Sequence, residues 1–77
     1  MARSTRAGMT IKFLRTYKHM TQRELAEALG LTPETISQWE VGNTEPRCSH
    51  FEEAMRYFGY RVELVPIDAK KGGKRHV

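Results

Sequence analysis

A single cysteine, Cys48, in 77 residues excludes an internal disulfide and leaves no thiol pair for a metal site. His19, His50 and His76 share no ligand spacing, so neither a metal nor another cofactor is expected. No apolar run approaches the ~20 residues that a membrane span needs. The opening MARSTRAG lacks the apolar core of a signal peptide. A cytoplasmic protein with no membrane partner is the expectation. Paired carboxylates, a nucleophile–base spacing and a phosphate-cradling glycine loop are also missing, which argues against an enzyme. With no disulfide or metal staple, one small core supplies only ~3–5 kcal/mol, and oligomerisation is a natural further source of stability.

What the chain does have is positive charge, unevenly placed. The formal net charge is +4, from 13 basic and 9 acidic residues. Arg3 and Arg6 lie in the first eight residues, and Lys70, Lys71, Lys74 and Arg75 in the last eight, with no acid in either segment. Met9 to Ala69 holds the remaining 7 basic residues and all 9 acids, so the middle is slightly acidic. A basic excess points to a polyanionic partner, and here the two ends carry it. Arms that merely keep a small protein soluble are the plain alternative.

Periodicity divides the chain. Residues 1–8 show none and read as a flexible basic arm. Thr10 is placed to cap a first helix with Ile11, Phe13, Leu14 and Tyr17 mostly on one face, followed by a Lys18-His19 connector. Thr21 and Glu24 have capping-box spacing, with Met20 and Leu25 as a hydrophobic staple. Leu25, Ala26 and Leu29 face the core, and Gly30 ends this helix. Thr32 caps the next helix, Pro33 takes its first position, and Ile36, Trp39 and Glu40 share one face up to Gly42-Asn43. A loop with Pro46 and Cys48 follows. Ser49 and Glu52 repeat the capping-box spacing before Phe51, Ala54, Met55 and Phe58. From Tyr60 the period becomes two: Tyr60, Val62 and Leu64 alternate with Arg61, Glu63 and Val65 until Pro66, a strand signal. The basic, glycine-containing tail reads as disordered.

The centre is TQRELAEALGLTPETISQWEVGNTEP, two short helices joined by a glycine turn. Counting from Gln22, the fifth residue is small (Ala26), where the second helix crosses, and the ninth is Gly30, where the chain turns. Leu25, Leu29, Leu31, Ile36 and Trp39 wedge the pair against the core. This stretch resembles the helix-turn-helix domain of phage repressor and Cro proteins, the XRE-like family, over about Ile11 to Gly59. The resemblance implies a mainly α fold: a small four-helix, lambda-repressor-like domain over residues 9–59. The family's usual fifth helix is replaced by the strand signal at 60–66, and residues 67–77 form the tail. Some members carry such a strand and pair it across a dimer.

The resemblance also implies roles. Gln22 matches the family's phosphate-clamping glutamine. Pro33, Glu34, Thr35 and Gln38 occupy positions that face base edges in the major groove. Gln38 can bond adenine bidentately, Thr35 can meet thymine's methyl, and Glu34 can accept from cytosine N4 or simply serve the helix dipole. Ser37, Asn43 and Thr44 are candidate backbone contacts, with Arg23 and Lys18 as further phosphate candidates. Arg15 and Glu40 match a structural ion pair of the family. A monomer's strand would leave an open edge, so Tyr60, Val62 and Leu64 are expected to cover the helical core as an antiparallel ribbon in a homodimer. The implied function is a Cro-like repressor on double-stranded DNA, in a bacterial or phage-encoded, nucleoid-associated protein. The competing reading is an antitoxin with a toxin protein as a second partner.

Overall fold

A computed structural model describes residues 6–67. It contains four helices: α1 (Arg6–Tyr17), α2 (Gln22–Leu29), α3 (Pro33–Val41) and α4 (Cys48–Phe58). The tightest pairing is α2 with α3, while α1 packs on α3 and α4, and α4 also reaches α2. Among the described residues no helix is long and apolar enough to cross a membrane, and no cluster of metal-ligating side chains forms. Arg3 and the tail residues Lys70, Lys71, Lys74 and Arg75 lie outside the described residues.

The central pair forms for local reasons. Thr21 Oγ1 accepts from the Glu24 amide, and the Glu24 carboxylate accepts from the Thr21 amide, so two of the free donors at the helix start are used. Gly30 then takes φ +74°, the left-handed turn that lets the chain double back into α3. Thr32 caps α3, with Pro33 in its first turn and Gly42 closing it at φ +88°. Because Leu25, Ala26, Ile36 and Trp39 are buried on facing sides, the pair is wedged into one core with Ile11, Leu14, Ala54, Met55 and Phe58. Met20, Leu29, Leu31 and Phe51 seal its rim.

Three sequence expectations are corrected. First, α1 begins at Arg6, so the last three residues of the expected arm are helical and Thr10 is no cap. Its hydroxyl donates to the Arg6 carbonyl one turn back at 2.8 Å, a bond made inside a helix. Second, Phe13 and Tyr17 point to solvent and stack on each other with centroids 6.1 Å apart. They are one turn apart on a stripe that α3 and α4, already occupied by Ile11 and Leu14, do not cover. Third, α4 opens at Cys48, an exposed residue, so Ser49 is already helical and its box with Glu52 does not form; Arg47 is the cap position, without a side-chain bond.

Residues 60–67 take neither strand nor helix in the single chain, and all are exposed. Tyr60 and Val62 line one wall of a groove on α1 and α4, but Leu64 is 98% exposed and covers nothing within one chain.

Candidate nucleic-acid interface

Three helices converge on one carboxylate. Arg15, on α1, donates from Nε to Glu40 Oε2 at 2.7 Å and from Nη2 to Glu40 Oε1 at 2.9 Å. Its third nitrogen, Nη1, donates to the Met20 carbonyl at 2.6 Å, just before α2. Gln22, in the first turn of α2, donates from Nε2 to Glu40 Oε1 at 3.0 Å. Glu40 itself is buried with only 3% of its side chain exposed. A carboxylate is driven out of an apolar interior unless its charge is matched, and this planar two-point fork matches it. The network therefore fixes the angle of α3 against α1 and α2, and so the direction in which the outer face of α3 points. Gln22, expected at a phosphate, is half-buried and has one amide hydrogen bond committed inward.

The outer face of α3 is polar and uncrowded. Pro33, Glu34 and Gln38 are exposed, and Thr35 and Ser37 are half-buried. The Thr35 and Thr32 hydroxyls are bonded to each other at 2.9 Å, which ties one Thr35 group to the helix cap. Asn43 Nδ2 donates to Gln38 Oε1 at 2.7 Å. An amide oxygen has two lone pairs, so Gln38 keeps one acceptor site and both its amide hydrogens for an outside partner, and its rotamer is held. That Gln38–Asn43 link is invisible in the sequence, where the two residues suggest different tasks.

Positive charge is scarce at this surface. Glu34 and Glu40 are the ionisable residues of α3, and Glu34 sits in its first turn, where the helix dipole favours an anion. Lys18, ahead of α2, and Arg23, in its first turn, are exposed. Arg47, which sequence reasoning passed over, is exposed on the segment that follows Asn43 and Thr44 and leads into α4. Its signal was its isolation, as the sole basic residue between Arg23 and Arg56. The half-buried His50 has a plain structural setting: its ring lies 5.8 Å from that of Trp39.

Two amphipathic helices joined at Gly30, the second presenting polar side chains from its first turns, define a helix-turn-helix unit. The helix-turn-helix family profile matches residues 11–65, and the chain belongs to this XRE-type DNA-binding family. A transcriptional regulator of the helix-turn-helix type from Methanocaldococcus jannaschii is 30% identical over 57 residues, which is 74% of this chain and 86% of that one. The type II methyltransferase M.SsoII of Shigella sonnei is 52% identical over 40 residues, and M1.ScrFI of Lactococcus lactis is 33% identical over 73. The chain spans only 11% and 18% of those two methyltransferases, so the likeness is to a segment of each. No solved structure shows a significant match.

Proposed function

We propose that the chain is a sequence-specific transcriptional regulator, a Cro-like repressor that occupies a palindromic operator as a homodimer. The observation that carries this reading is the outer face of α3, where Pro33, Glu34 and Gln38 stand exposed while Ile36, Trp39 and Glu40 are buried behind them. A helix of this size fits the major groove of B-form DNA. Gln38, steadied by Asn43, reads adenine; Thr35 offers its methyl to thymine; Glu34 accepts from cytosine N4. Ser37, Asn43, Thr44, Lys18, Arg23 and Arg47 hold the backbone, and Gln22 contributes its remaining amide groups there. One α3 reads too few bases to select a site, since each mismatch costs only ~1–3 kcal/mol, and a two-fold pair doubles the site.

The methyltransferase relatives do not carry methyl transfer to this chain, because the shared part is a small share of each. The function proposed is binding. Selection of bound sequences from a random DNA pool tests it: the expected product is a palindrome whose half-sites lie about 34 Å, one helical turn, apart. Recovery of unenriched sequences would refute operator recognition, and a single non-repeated motif would refute the two-fold arrangement.

A further inference from the structure

We infer that α3 rejects operator adenine methylated at N6, and that Asn43 is the positioning residue that enforces this by holding the Gln38 amide. The inference rests on α3 being the base-contacting helix, and adds control of that contact by the chemical state of the DNA.

Asn43 grips Gln38 at two points. Its backbone amide donates to the Gln38 carbonyl at 3.0 Å, and its Nδ2 donates to Gln38 Oε1 at 2.7 Å. Gly42, left-handed at φ +88°, folds the following residue back onto the last turn of α3. Both Gln38 and Asn43 are exposed, so the link lies on the outer face and not in the core. It also fixes which end of the Gln38 amide is which. Turned over, Gln38 Nε2 would face Asn43 Nδ2, donor against donor. Oε1 therefore stays beside Asn43 with one acceptor site open, while Nε2 keeps both hydrogens.

Neighbouring groups on this face do not substitute for that amide. The Thr35 hydroxyl is engaged with that of Thr32 at 2.9 Å. Glu34 stands exposed one turn before Gln38, but a carboxylate accepts hydrogen bonds and has none to give adenine N7.

In the major groove adenine presents N7 as an acceptor and its N6 amino group as a donor. A glutamine amide meets both, Nε2 donating to N7 and Oε1 accepting from N6. In the duplex one N6 hydrogen is held by thymine, so a methyl group on N6 replaces the hydrogen that faces outward. The open site of Oε1 then meets carbon where it needs a donor. A glutamine without a tether escapes by changing rotamer or by turning its amide over. Gln38 can do neither without breaking its bond to Asn43.

The test uses the duplex selected from the random pool, resynthesised with adenine or N6-methyladenine where Gln38→Ala loses its preference. In gel-shift titrations the parent chain should bind the methylated duplex about tenfold or more weakly. Gln38→Ala should bind the two duplexes alike. Asn43→Ala removes only an exposed side chain and should keep the parent's thermal midpoint. Its discrimination between the duplexes should fall to about threefold or less. Equal weakening of both duplexes by Asn43→Ala would leave Asn43 a merely structural role and overturn the inference. Equal affinity of the parent for both duplexes, or a Gln38-dependent position that holds no adenine, also overturns it and leaves operator recognition standing. A pool without enriched sequences overturns the reading of α3 itself.

Discussion

At the scale of single residues, Arg15 and Gln38 illustrate two uses of a fixed polar group. Arg15 brings a planar fork to a carboxylate that is 3% exposed, and its remaining nitrogen reaches the Met20 carbonyl. A lysine would deliver one compact charge and lose the two-point match. Arg15→Lys should therefore lower unfolding stability by ~1–2 kcal/mol in urea titration, while the preferred DNA sequence stays the same. Stability equal to the parent would show that the fork adds nothing. Gln38 is held by Asn43 but keeps its outward bonding groups. Gln38→Ala should weaken operator binding by ~1–3 kcal/mol and abolish the preference at one base of each half-site, with non-specific binding unchanged. A uniform loss on all DNA in gel-shift titrations would mean that it contacts backbone instead.

At the scale of elements, the α2–α3 turn is a conformational demand more than a packing one. Gly30 sits at φ +74°, and nothing lies within 4 Å of where a Cβ would stand. Gly30→Ala should then cost ~1–2 kcal/mol from the left-handed backbone alone, read as a lower midpoint in chemical denaturation. A loss several times larger would point to a clash that this geometry does not contain. Thr21→Ala removes one half of the α2 capping box and should cost ~1 kcal/mol in the same assay. These elements were readable in the sequence because their signals are local: a threonine three residues before a glutamate, a proline one residue after a cap, a glycine where the periodicity breaks. The starts of α1 and α4 were not readable. Thr10 and Ser49 look like caps, but each is equally able to sit inside a helix, and only the packing of the preceding residues decides between the two.

For the whole molecule, the separation of positive charge from the outer face of α3 is the governing feature. The outer face of α3 carries Glu34 and no lysine or arginine, while most terminal basic residues lie outside the described fold. If the ends neutralise phosphates, deleting residues 1–5 and 70–77 should flatten the salt dependence of operator binding, the logarithmic slope falling by ~0.9 for every phosphate released. An unchanged slope would assign them to solubility. The order and joints of the central helices, and the chemistry of the face they present, followed from sequence alone, because caps, turn glycines and helical period act over a few residues. Tertiary structure decided what lies far apart in the chain: that Gln22 turns inward to Glu40, that Asn43 holds Gln38, and that Phe13 and Tyr17 face outward. Which side of a helix is covered depends on where its neighbours stand, and a single helix's residues do not encode that.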